Sequence, residues 1–204
     1  MQPEKTSRYR HWWAWLGRLS SSAEGVQIVE LAVTLPLVTA MFVATYDFGQ
    51  AFNVKQKVVA AAREGARFAA NQSTSDLTTG TASSCPSSIC AIRDVVHAYL
   101  VNSNISDCGL ASALVARGGA TQWTWTFTAS GCAGGNLVLT INRANTYTTT
   151  VPSGAGNVTM TVQSTKVTLA YPYQWHINRI MQMLGGSYGA TTTITANSVM
   201  ENMN

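Results

Sequence analysis

Charge is what this sequence has least of. Lysine and arginine number 13 and aspartate and glutamate nine, so 22 of 204 residues, or 11%, are charged. An ordinary soluble chain carries roughly 25%. A net charge of +4 spread over this length forms no dense basic patch for phosphates, so nucleic acid is not an expected partner. Only five acidic residues follow Asp47 (Glu64, Asp76, Asp94, Asp107 and Glu201), which leaves few pairs for acid–base chemistry. A Gly-x-Ser-x-Gly elbow, a P-loop and a dinucleotide fingerprint are all missing, and Gly154-Ala-Gly156 and Gly185-Gly186 read as turns. The expectation is therefore no enzyme, no cofactor and no small-molecule substrate. The apolar fraction of 46% is ordinary and excludes disorder. A mean hydropathy of +0.07 excludes a polytopic membrane protein. Polarity comes instead from Thr, Ser, Asn, Gln and Gly.

One long apolar run stands out, from Val26 to Tyr46. Fifteen of its 21 residues are apolar, the exceptions being Gln27, Glu30, Thr34, Pro36, Thr39 and Thr45. At about 1.5 Å per residue it spans roughly 31 Å, close to the hydrocarbon thickness of a bilayer. Upstream, Lys5, Arg8, Arg10 and Arg18 outnumber Glu4 and Glu24. That bias predicts a cytoplasmic N-terminus, with the C-terminal part outside. Trp12, Trp13 and Trp15 suit a membrane–water interface. A cleaved secretory signal is the alternative, with a shorter apolar region and a small-x-small site. The candidate Phe42-Val43-Ala44 puts a bulky residue at the −3 position, and Glu30 and Pro36 fit a signal poorly. Glu30 is the run's one charged residue. It either snorkels to the headgroups or is a paired, functional carboxylate.

The junction Ser20-Ser-Ser-Ala-Glu-Gly25, followed by Val26-Gln-Ile-Val-Glu30-Leu31, resembles a type IV prepilin junction. Three further blocks narrow the likeness: Glu30-Leu-Ala-Val-Thr-Leu-Pro-Leu37, Asp47-Phe-Gly-Gln-Ala-Phe52 and Ala61-Ala-Arg-Glu-Gly-Ala-Arg-Phe-Ala-Ala70. Together they are similar to the TadE-like family, minor pilins or pseudopilins of the tight-adherence (Flp pilus) machinery. The resemblance covers about residues 25–70, and Asn197-Ser-Val-Met-Glu201 is weakly similar to the family's C-terminal ending. Leu31 follows Glu30 where major Flp pilins usually have Tyr, which points to the minor components. The resemblance implies a prepilin peptidase that cuts between Gly25 and Val26. It also implies that Glu30, fifth in the mature chain, acts in helix assembly, pairing with the new amine of a neighbouring subunit. Implied partners are that peptidase, other pilins, pilus assembly proteins and the inner membrane.

The helical pattern continues beyond the membrane run. Val54, Val58, Ala61, Ala62, Gly65, Phe68 and Ala69 recur at spacings of three and four. Lys55, Lys57, Arg63, Glu64 and Arg67 fall mostly on other faces, with Glu64 and Arg67 spaced to pair. A helix over 26–70 is 45 residues, roughly 68 Å, and Pro36 is expected to kink it or open its hydrogen bonding. Its small residues admit a closely packed neighbour, either this chain's own sheet or another pilin. Residues 71–88 read as a loop and 91–101 as a short amphipathic helix. Arg93, Asp94 and His97 on that helix read as a solvated face.

Beyond Thr121, 17 of 84 residues are Thr. Alternation marks strands at Trp123–Phe127, Leu137–Ile141, and Val158–Val162 through Val167–Tyr171. A short helix over 174–184 and a last strand at about 190–199 complete the expectation. Cys85, Cys90, Cys108 and Cys132 all follow the membrane run, and an even count in an oxidising compartment predicts two disulfides. Three connectivities are open, among them a local Cys85–Cys90 closure. One C-x4-C with His97 and His176 unpaired does not match zinc spacing, so no metal is expected.

The fold class read here is α+β, a long N-terminal helix on an antiparallel β-sheet, pilin-like. The organisation is a basic leader (1–25), a transmembrane helix (26–46), its extracytoplasmic continuation (47–70) and an extracytoplasmic α+β domain (71–204). The functional expectation is a minor pilin or pseudopilin that helps assemble a tight-adherence pilus. It would be a single-pass protein of the bacterial inner membrane with its C-terminal domain in the periplasm. The alternatives are a pseudopilin of a related secretion system and a signal-anchored periplasmic ligand-binding domain.

Overall fold

A computed structural model describes residues 23–77, 85–118, 123–154, 156–177 and 191–203. The leader through residue 22, with its three tryptophans, lies outside them, as do loop residues 78–84 and positions 178–184 of the expected second short helix. Within the described part, Gln174 ends a strand rather than opening that helix.

The first helix, α1, runs from Ala23 to Ala70 and stays helical through Pro36. The chain divides into two units along it, with the boundary between Phe48 and Gly49. In the first unit the apolar side chains face outward: Val33 is 70% exposed and Phe42 73%. Exposed hydroxyls are not left to solvent. Thr34, Thr39 and Thr45 each donate to the carbonyl four residues back (Glu30, Leu35 and Met41) at 2.9, 2.8 and 2.9 Å. That back-bonding satisfies each hydroxyl's donor within the helix.

The second unit is α+β. Its sheet is an antiparallel meander of five strands: β1 (Leu114–Arg117), β2 (Thr124–Cys132), β3 (Gly135–Ser153), β4 (Gly156–Gln174) and β5 (Thr191–Glu201). A second helix, α2 (Ser87–Asn102), and a short 3-10 turn at Leu110–Ser112 precede it. Alternation decides which side is core. Phe127, Leu139 and Leu169 stand side by side on three strands and are fully buried. The intervening Thr126, Thr140 and Thr168 form a row on the opposite face. Burying each large apolar side chain contributes about 1.5–3 kcal/mol, so the apolar face fixes the register.

That core is closed by Val58, Ala61, Ala62, Ala66 and Ala69 of α1 and by Ile89, Ile92, Val96 and Leu100 of α2. The neighbour admitted by the small residues of α1 is thus this chain's own α2 and sheet. A Cβ placed on Gly65 would stand 2.6 Å from Val96 Cγ2 and 3.6 Å from Val167 Cγ1. Only glycine permits that approach.

Candidate functional site

The described part of the N-terminal helix runs from Ala23 and includes Gly25 and Val26. Glycine weakens a helix interior by about 0.5–1 kcal/mol relative to alanine. The backbone at the Gly25–Val26 bond is therefore easier to open than it would be with alanine at position 25. Val26 is 56% exposed, and Glu30 one turn further on is exposed as well. Among the described residues the Glu30 carboxylate has no partner. The flanking side chains Val29, Leu31 and Val33 are outward-facing and apolar. Between Val26 and Tyr46, Glu30 is thus the one charged residue on a largely apolar helix surface.

In the second unit several charges act at helix ends. Arg143, fully buried in β3, donates from Nη1 to the Ala69 carbonyl and from Nη2 to that of Gln72 at 2.7 Å. The backbone N–H of Met203 donates to the Ala70 carbonyl at 3.1 Å. The C-terminal carbonyls of α1 are thereby satisfied, and the guanidinium complements the negative end of the helix dipole. Burial lowers the pKa of Arg143, and nearby Asp76 acts in the opposite direction.

Asp76 does the converse for α2. Its carboxylate accepts from the Ser88 N–H and from the Ser88 hydroxyl, both at 2.8 Å, at the positive end of that helix. Lys57 Nζ donates to the Ser103 carbonyl at the other end, at 2.9 Å. Glu64 and Arg67 pair at 2.8 Å, as their spacing predicts. The surface reading of α2 changes. Arg93 pairs with Asp94 at 2.7 Å and lies over the Phe127 ring, 5.7 Å from its centroid. His97 reaches Asp107 at 2.9 Å. Burial pushes the Asp107 carboxyl up, but hydrogen bonds from Gly109, His97 and Leu110, with the charge of His97, outweigh it and leave the pKa below its ordinary value.

The four cysteines form two disulfides, Cys85–Cys90 and Cys108–Cys132. The first is the local closure that the sequence left open. The second ties the segment after α2 to the end of β2. Beside Cys132 lies a cleft of about 490 Å³, lined by Ser106, Tyr171, Tyr173, Trp175 and His176. Tyr173 and Trp175 meet edge to face at 5.2 Å, and Trp175 Nε1 donates to Thr192 Oγ1 at 2.7 Å. Among the described residues no group of three His, Cys, Asp or Glu side chains is placed to hold a metal.

The helix and its docking end coincide with what comparison with known proteins finds. Residues 25–67 match the family model described as TadE-like protein. The match takes in Gly25, Glu30, the whole apolar run and, in the second unit, the core residues Val58, Ala61, Ala62 and Ala66. Searches of curated proteins and of solved structures returned no match. What the sequence did not single out is Arg143. Its one signal was isolation: Gly118 to Thr165 contains no other charged residue.

Proposed function

We propose that this protein is a single-pass membrane component of a tight-adherence (Flp type IV) pilus apparatus. In this reading it is a minor pilin or pseudopilin, trimmed between Gly25 and Val26, that co-assembles through its N-terminal helix. One coincidence carries the reading: the TadE-like match, the exposed apolar run and its single carboxylate occupy one continuous helix. Trimming creates an amine on Val26, and the Glu30 carboxylate of an adjacent subunit neutralises it. Two charges that are costly alone in hydrocarbon then become one hydrogen-bonded pair. The helix brings the disulfide-bonded second unit into the assembly, where it meets pilus partners. Prepilin peptidase acts first and the neighbouring pilins after it.

The test is co-assembly. Glu30→Ala should be made, inserted and trimmed normally, yet be lost from complexes pulled down with its pilus partners. Glu30→Asp should retain part of that association. Normal recovery of Glu30→Ala in those complexes would refute the pairing.

A second reading, a signal-anchored periplasmic ligand-binding domain, draws on the aromatic cleft beside Cys132. It predicts either an uncut N-terminus or a cut near Ala44. It gives no reason for Glu30 to matter.

A further inference from the structure

Strand β4 carries two apolar faces on opposite sides. Val167, Leu169 and Tyr171 point into the core beneath the helices. Val158, Met160 and Val162 differ from them in parity along one strand with regular pairing, so they point to the other side. In β3 a bulge between Asn142 and Asn145 performs the same inversion. Leu137, Leu139 and Ile141 before it face the core, whereas Tyr147 and Val151 after it pair with Val162 and Val158 on the outer side. An extra residue reverses the alternation, and bulges commonly re-aim side chains in this way.

Beyond this bulge the two strands leave the sheet as a two-stranded arm. Among the described residues, β2 pairs with β3 as far as Asn142, and β5 pairs with β4 from Ser164 onward. The arm is braced at its base by Asn145 Nδ2 donating to Ser164 Oγ at 2.7 Å. One of its faces is polar, with Thr146, Thr148 and Thr150 set against Gln163, Thr161 and Thr159. The other is apolar and open: Val158 and Met160 are each 50% exposed, Val151 44% and Tyr147 40%. An isolated two-stranded ribbon is marginal in water, and a contiguous open apolar face marks an interaction surface.

Charge says what covers it. The chain carries +4 overall, yet Ala144–Thr165 contains no charged residue. The outer face at the base of the arm has one cation and one anion, Lys166 and Glu201, on the adjacent strands β4 and β5. Tyr147 Oη lies 3.5 Å from Glu201 Oε2, so this carboxylate borders the apolar patch. We infer that the arm docks on a second copy of this chain, face to face about a two-fold axis. The Tyr147, Val151, Val158 and Met160 faces pack together, and Lys166 opposes Glu201 of the partner subunit. A two-fold contact is self-complementary, so a neutral face with one charge of each sign is suited to meet itself. The contact does not require the membrane helix, and its fate is independent of trimming.

The test uses the full chain in detergent micelles, with self-association followed by sedimentation and far-UV circular dichroism as the check on folding. The wild type should dimerise reversibly. The Val158→Lys, Met160→Lys double variant should fold normally and weaken the dimer by about tenfold or more, because like charges then face each other. Lys166→Glu and Glu201→Lys should each weaken it, and combining them should restore it. A wild type that stays monomeric, a dimer indifferent to the arm substitutions, or no recovery in the charge swap would each overturn the inference.

Discussion

Arg143, in the middle of a threonine-rich strand, donates to the carbonyl of Ala69 at the last turn of the N-terminal helix. A second bond, to Gln72, makes the guanidinium a two-point cap that ties the base of the β3–β4 arm to the end of that helix. Replacing it with Met should therefore remove a charge-assisted donor from both carbonyls, leaving the Ala69 carbonyl only the Gln72 N–H at 3.0 Å. The expected cost is about 2–5 kcal/mol. Arg143→Lys should recover only part, because an ammonium lacks the planar fork. Denaturant unfolding of the purified chain measures both. A Met variant as stable as wild type would remove Arg143 from this role.

Gly65 of α1 packs directly against Val96 of α2. Gly65→Ala puts a methyl group 2.6 Å from Val96 Cγ2, and a β-branched side chain in a helix has little rotamer freedom with which to retreat. A loss of about 1–3 kcal/mol is expected. Val96→Ala in the same chain should relieve the clash, so that the double variant is more stable than the sum of the two single effects. Simple additivity would show that the contact does not constrain the helix.

Asp107 couples the disulfide region to pH. Its carboxyl is held below the ordinary 3.8 in the folded chain, so the folded state takes up its proton at lower pH than the unfolded state does. The stabilisation is complete above the unfolded value and is lost as pH falls through the folded one. Asp107→Asn should thus be less stable than wild type at about pH 7, with the difference lost as pH falls through the lowered folded-state value. Unfolding curves across that range read it directly. A difference that grows on acidification would contradict the assignment.

Much of this fold was legible because it rests on periodicity. The buried face of α1 follows the spacing of Val58, Ala61, Ala62 and Ala69, and β2 follows the alternation around Trp125 and Phe127. Reading failed where a tertiary partner or a break in parity decides. β3 was seen only to Ile141, because the bulge after Asn142 inverts its alternation and a run of threonines follows. β1 is four residues long with two of them exposed, too short to show a period. The pairing of Cys108 with Cys132 and the anchoring of Arg143 depend on residues distant in sequence, so spacing could not reveal either. At the site, Gly25 and Glu30 were found by their resemblance to a junction. The helix reaching back to Ala23 was not.

The most direct measurement is the mass of the mature N-terminus, with and without a co-expressed prepilin peptidase. The Gly25–Val26 bond lies in a helix whose apolar run carries one carboxylate, Glu30, four residues after Val26. A pilus component of this kind should be converted by the peptidase to a chain beginning at Val26, and Gly25→Leu should block that conversion. A chain that keeps Met1 in the presence of active peptidase, or one cut near Ala44, would contradict the account.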